Sequence, residues 1–296
     1  MKSIYYIFTS VIVAMSTYAH CQQLSEPPVF EGSDINTISI DGIRLGDDIA
    51  QLIERDPNHT SNGTLKTAER NIPITISDEW SNYRDFCREQ FYEGNQIDIK
   101  KLSTEQQRML RDAFYSASKT LSQTAVPASF WYEYVGKNNW DRASVRIVYN
   151  QQNGLVTDIS YNRKYLHSYK TIEELLNSRF DFNKLYNYDM HDRSIYAIGS
   201  STKKLTKSEA GPAQHLHGKF EALSNLINNR KSEFPSDVMS IRLSESNGNT
   251  THLQIDLSTK SNPQVAAETL KNSCINANRE AVDTILGEVN EGVLKL

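Results

Sequence analysis

The chain has 296 residues, of which 38% are hydrophobic and 23% charged, with a formal net charge of −4 and a mean hydropathy of −0.56. Its basic spots are short, the densest being Lys203-Lys204 and Arg230-Lys231, which argues against a nucleic-acid partner because such proteins carry a basic face. The 15 Tyr and 10 Phe residues are spread along the chain and argue against disorder, because aromatic side chains supply a core.

The N-terminus has the layout of a cleavable secretory signal peptide. Lys2 precedes an apolar stretch from Ile4 to Met15, and small and polar residues follow up to Ala19. This stretch is shorter than the roughly 20 apolar residues that a membrane-spanning helix needs. We therefore expect residues 1–19 to be removed, so that the mature protein begins at or near His20 and works in the periplasm or the extracellular medium.

Cys21 offers an alternative, in which it becomes a lipid-anchored N-terminus. Lipidation favours a Leu-like residue three positions before the cysteine and a small residue directly before it, whereas Tyr18 and His20 stand at those positions. A cut after Cys21 is a further alternative. The expectation is a soluble exported protein with no transmembrane segment after cleavage.

Cys87 and Cys274 remain in the mature chain whichever cut is used. Two cysteines in an oxidising compartment are paired more often than free. The sequence therefore predicts a Cys87–Cys274 disulfide that closes a very long loop. The alternative is that Cys274 acts as a small buried apolar side chain.

The first predicted elements follow a polar lead. Residues 20–36 are interpreted as a flexible lead because they lack periodic apolar residues. Residues 37–41 alternate like a strand, Gly42 permits a turn, and residues 47–53 are predicted as a short helix. Residues 58–64 are predicted as a loop from their composition.

The segment from Ile40 to Ile53 reads strand, glycine, Leu-Gly, acidic cap and helix. It resembles the opening of the small α+β repeats in bacterial envelope proteins of the BamE-like and β-lactamase-inhibitory-protein-like kind. The resemblance implies helices on a small antiparallel sheet and a role in binding proteins without a cofactor. The sequence departs from the family pattern at Glu54–Pro57, and no functional residue of the family carries over.

Further elements are predicted downstream. Ser103 and Gln106 form a capping box before apolar residues spaced three and four apart as far as Leu121, which predicts a long helix. Two alternating runs then flank Asn153-Gly154, the pattern of a β-hairpin. A helix is predicted from Thr171.

The second half follows the same order. Residues 216–227 have a helical apolar face, and alternating runs at 238–243 and 253–257 flank Asn247-Gly248 as a second hairpin. One apolar stripe over residues 265–289 predicts a final helix.

The predicted fold class is therefore α+β, with helices packed on small antiparallel sheets. The repeated order suggests two α–β-hairpin–α units, residues 37–182 and 183–296. Independent use of a common arrangement is the alternative to an internal duplication.

No catalytic or metal site is recognisable. Alternating histidines such as His215 and His217 share a face on a strand and could chelate there, but the local pattern is helical and would put them ~200° apart, and no third ligand lies at a recognisable spacing. His191 lies between two aspartates, but the nearby Gly199–Ser201 lacks the glycine spacing of a nucleophile elbow. We expect no metal and no cofactor. A hydrolase whose site forms only in three dimensions would use His191, His215 or His217.

The aromatic run from Phe130 to Tyr134 carries the leading hypothesis. On a strand Phe130 and Tyr132 face one side and Trp131 the other, so one large aromatic is expected on the solvent side unless a helix covers it. Exposed aromatics within a polar rim are typical of binding surfaces. Candidate binding residues are Trp131, Tyr132 and Trp140.

The function predicted from these patterns is non-catalytic binding of another envelope or extracellular macromolecule, with a protein as the expected partner. The alternatives are a secreted hydrolase and a secreted toxin or effector. The oligomeric state stays open.

Overall fold

The computed structural model of the chain describes residues 23–24, 26–56, 59–66, 71–78, 80–137, 140–180, 186–190, 193–199, 238–246, 249–259 and 262–293. Several sequence predictions lie outside the described residues. They are the signal peptide, the lipidation site Cys21, the helix at 216–227, and His191, His215 and His217.

The strands are β1 (Gln23–Leu24), β2 (Phe30–Glu31), β3 (Ser39–Ile40), β4 (Ile53–Asp56), β5 (His59–Lys66), β6 (Asn71–Asp78), β7 (Ala128–Val135), β8 (Arg142–Tyr149), β9 (Val156–Tyr165), β10 (Tyr186–Met190), β11 (Arg193–Gly199), β12 (Val238–Ser246) and β13 (Thr250–Ser258). The helices are α1 (Trp80–Gly94), α2 (Thr104–Thr124), α3 (Tyr169–Arg179), α4 (Asn262–Ile275) and α5 (Arg279–Val293).

One large sheet organises the chain. It has 11 strands. Ten of them follow the order β10-β11-β12-β13-β9-β8-β7-β6-β5-β4, each antiparallel to its neighbours, and β1 pairs in parallel with the end of β7. β2 and β3 form a separate pair. β13 lies between β9 and β12, so the sheet runs across the predicted 182/183 boundary. The α+β class is confirmed, but this large sheet replaces the small sheets that the sequence predicts.

Two apolar clusters hold the fold together. The first lies on one side of the sheet, where α3 packs through Ile172 and Leu176. The N-terminal segment 35–49 covers the same side with five buried isoleucines: Ile35, Ile38, Ile40, Ile43 and Ile49. We call this side the core face.

The second cluster lies among helices α1, α2, α4 and α5. Helix α1 packs mainly on α4, and α2 on α5. Their apolar side chains recur three or four residues apart, so each helix has one apolar stripe that a neighbouring helix can cover. These helices therefore bury their stripes against one another, which corrects the prediction that they pack on small sheets.

The predicted Cys87–Cys274 disulfide is present and joins α1 to α4. Both cysteines are fully buried in the helical cluster, and they are 187 residues apart in the chain.

Local signals in the middle of the chain are confirmed. Ser103 and Gln106 form the reciprocal capping box of α2. The predicted hairpin is β8–β9, in which Gly154 has a φ of +72°. A side chain there would collide with the carboxylate of Asp48, so the turn needs glycine for space as well as for conformation.

Two local predictions near the N-terminus are wrong. The helix at 47–53 is replaced by the single 3₁₀ turn Ala50–Leu52 followed by β4, because residues 46–49 bond to the backbone of Gly154 and Val156. Residues 59–64 of the predicted loop belong to the strand β5, which pairs with β4 and β6. In both places, pairing with distant strands overrides local propensity.

Other boundaries also differ. Part of the predicted flexible lead is ordered, since Leu24 in β1 is buried beside β7, and Phe30 pairs with Ile40. The final helix is divided into α4 and α5 at Asn278, whose φ of +52° no helix can continue through.

Asp41 connects the N-terminal segment to the core face. Its carboxylate accepts hydrogen bonds from the buried Tyr132 hydroxyl at 2.8 Å and from the Val29 backbone N–H at 2.9 Å. We expect Asp41→Ala to lower the free energy of unfolding by about 2–3 kcal/mol, because the buried hydroxyl loses its acceptor. Urea denaturation measures the change. Asp41→Asn keeps one acceptor oxygen and should lose about half as much, whereas a loss below about 0.5 kcal/mol in Asp41→Ala would show that these bonds contribute little.

Candidate functional site

The side of the sheet opposite the core face is polar along β7, β8, β9 and β13. Residues that pair across antiparallel strands point to the same side, so the register places these side chains in rows. We call this side the polar face. Its middle row is Trp131, Arg146, Ser160 and Asp256.

The remaining rows differ in exposure. The row nearest the connections to α2 and α4 is the most buried of the three and holds Ser129, Val148, Asp158 and Ser258. The next row outward holds Glu133, Ser144, Asn162 and Gln254. The outermost row holds Val135, Arg142, Lys164 and His252, and both Arg142 and His252 are exposed.

Trp131 lies on the polar face as the alternation predicts. The indole is partly buried, with Thr75 of β6 opposite on one side and Arg146 of β8 on the other. Arg146 Nη2 donates to the hydroxyl of Ser129 at 3.4 Å, which holds the guanidinium in the same part of the face. A large aromatic side chain and an arginine therefore lie side by side on a polar surface.

Hydrogen bonds fix the polar groups next to this pair. The Asp256 carboxylate is 1% exposed and accepts from Ser160 Oγ and from Gln254 Nε2, each at 2.7 Å. The Ser258 hydroxyl donates to Asp158 in the neighbouring row. Such a network satisfies the buried Asp256 carboxylate and holds the partly buried Ser160 and Gln254 in fixed orientations.

The three candidate binding residues lie in three different environments in the structure. Trp131 belongs to the middle row of the polar face. Tyr132 is fully buried on the core face, where its hydroxyl bonds to Asp41, so it cannot contact a partner. Trp140 lies in the β7–β8 connection and is 59% exposed, with the Lys164 ammonium 4.3 Å from its ring centroid.

The partners of Trp131 were not identifiable from sequence. Alternating polar residues in β8, β9 and β13 give the signal that one side of each strand is polar. Pairing of β9 with β13 joins residues about a hundred positions apart, and local pattern carries no information about that neighbour. Arg146 and Lys164 are therefore functional candidates that only the sheet order reveals.

Within the described ranges, no group of three or more His, Cys, Asp or Glu side chains is arranged to hold a metal ion. None of the helices in those ranges is long and apolar enough to cross a membrane.

Comparison of the chain with protein-family models, with curated proteins and with solved structures gave no match.

Proposed function

We propose that this chain is an exported, non-catalytic protein that binds another envelope or extracellular macromolecule through the polar face around Trp131. The observation that carries the proposal is the middle row, where Trp131 and Arg146 pair across two central strands on the side away from the core. The partner class that we propose is a protein.

The chemistry of the row supports this role. Tryptophan and arginine are enriched among the residues that dominate binding energy at protein interfaces. The indole offers a large apolar surface with one N–H donor, and the guanidinium offers several donors in a plane. The surrounding serines and amides suit the polar groups of a partner that approaches the sheet.

The disulfide supports export. Disulfides persist in oxidising compartments and are rare in a reducing cytosol. Cys87 and Cys274 are paired inside the helical cluster, so the fold contains a cross-link that suits a periplasmic or secreted protein.

The proposal is tested by affinity capture from the native envelope or medium with the tagged mature chain. We expect Trp131→Ala to weaken the captured partner's binding by about 2 kcal/mol or more, which is a roughly thirtyfold higher Kd. The partly buried indole should contribute only about 1–2 kcal/mol to stability, so the variant should stay folded. Circular dichroism melts check this.

Tyr115→Ala is the matched control, because Tyr115 is 51% exposed on α2 and lies outside the polar face. It should capture the same partner with the wild-type affinity. Binding that survives unchanged in Trp131→Ala would contradict the proposed function.

A further inference from the structure

The outermost row of the polar face concentrates positive charge next to an aromatic ring. Arg142 of β8 lies opposite Lys164 of β9, and Lys164 lies opposite His252 of β13. The Lys164 ammonium also lies 4.3 Å from the ring centroid of Trp140. We call these four residues the cationic corner.

Two fixed cations face each other in this corner. In the part of the chain that the structure describes, neither Arg142 nor Lys164 forms a salt bridge. Like charges directly opposite each other in a sheet are destabilising. An anionic ligand between them would remove that repulsion, so the arrangement favours binding of a carboxylate.

His252 contributes polarity rather than charge at neutral pH. Partial burial, and then the neighbouring Lys164 ammonium, lower the pKa of His252. The imidazole is therefore neutral at pH 7, and the positive charge of the corner comes from Arg142 and Lys164.

The corner contrasts with the rest of the chain. The formal net charge is −4, and several other exposed cations lie beside carboxylates, as Arg108 does with Glu105 and Asp112. A localised positive patch on an acidic protein orients an acidic partner toward one place.

We infer that the cationic corner recognises an acidic segment of the protein partner that is proposed for the polar face. The Asp or Glu carboxylates of that segment pair with Arg142 and Lys164. This inference rests on the proposed function. Lys164 covers one side of the Trp140 ring, which removes that side as a platform for a sugar ring. The neighbouring Ser144, Asn162 and Gln254 supply donors and acceptors for the backbone of an extended segment.

The test measures fluorescence anisotropy of a fluorescein-labelled decaglutamate peptide with the mature protein in low and physiological salt. We expect binding at low salt that weakens as salt screens the charges. Arg142→Glu/Lys164→Glu should weaken binding at least tenfold. Lys100→Glu/Lys119→Glu makes the same change of charge at two exposed lysines away from the sheet and should leave binding within a factor of about two of wild type. Circular dichroism melts verify that both variants are folded.

The inference is overturned if decaglutamate does not bind, or if both double variants weaken it equally. It is also overturned if phosphatidylglycerol vesicles bind through the corner while decaglutamate does not, since the ligand would then be a membrane surface. Capturing the partner of the proposed function with Arg142→Glu/Lys164→Glu separates the two claims. If capture of the partner depends on Trp131 but not on the cationic corner, only this inference fails. If decaglutamate binding depends on the corner but capture of the partner does not depend on Trp131, only the proposed function fails.

Discussion

Loss of the Cys87–Cys274 cross-link is expected to lower the free energy of unfolding by about 5 kcal/mol, because the chain-entropy model assigns that value to a loop of this length. The bond spans 187 residues and joins α1 to α4. Without it the unfolded chain gains the freedom to separate these helices. Guanidinium denaturation of wild type and Cys87→Ala/Cys274→Ala measures the difference.

Wild type that has been unfolded, reduced and refolded in dithiothreitol is the control for packing, because it keeps both sulfur atoms in the helical cluster. It should lose nearly as much stability as the double alanine variant. If both samples unfold at the midpoint of the oxidised protein, the cross-link does not stabilise the fold.

Phe130→Ala should lower the free energy of unfolding by about 3–5 kcal/mol, the usual cost of removing a fully buried phenylalanine ring. Phe130 is 0% exposed on the core face, and its ring centroid lies 6.3 Å from that of Tyr149. The loss combines the lost burial with the cavity that remains. Urea denaturation of Phe130→Ala and Trp131→Ala compares two neighbours on opposite sides of one strand.

Phe130→Leu fills much of the cavity and should recover more than half of the loss. Trp131→Ala should cost clearly less than Phe130→Ala despite removing a larger ring. Equal losses would mean that Trp131 is as much a core residue as Phe130, and the polar face would lose its central contact group.

The sequence predicts those parts of the fold that depend on short-range signals. The capping box at Ser103 and the Asn153-Gly154 hairpin are confirmed because their determinants lie within a few residues of each other. The facing of Phe130 and Trp131 is confirmed for the same reason, since alternation is a property of the strand itself.

Some elements are absent from the sequence predictions. Helix α1 has apolar side chains at Tyr83, Phe86, Cys87 and Phe91 and ends at Gly94, so its spacing and its C-terminal glycine are signals that those predictions do not use. Strand β6 alternates at Ile72, Ile74 and Ile76, yet Pro73 within it argues against a strand. The predicted helix at 47–53 fails because that segment bonds to residues of the β8–β9 turn more than a hundred positions away.

Of the candidate site, only the facing of Trp131 is predictable from the sequence. Alternation places Trp131 away from the core, whereas its neighbours on the face depend on which strands lie next to each other. Tyr132 is assigned to binding by its chemistry alone, and its partner Asp41 lies 91 residues earlier in the chain. Burial of that kind depends on the N-terminal segment 35–49, whose place over the core face local patterns do not predict.

Photo-cross-linking from the polar face tests the central claim most directly. Benzoylphenylalanine replaces the exposed Asn162, which lies on β9 two residues from Ser160 of the middle row. The control carries benzoylphenylalanine in place of Tyr115 on α2. Irradiation in the native envelope or medium should give a covalent adduct of one protein from position 162, reduced when Trp131→Ala is added, and no such adduct from position 115. An adduct from position 115 with none from position 162 would contradict a binding role for the polar face.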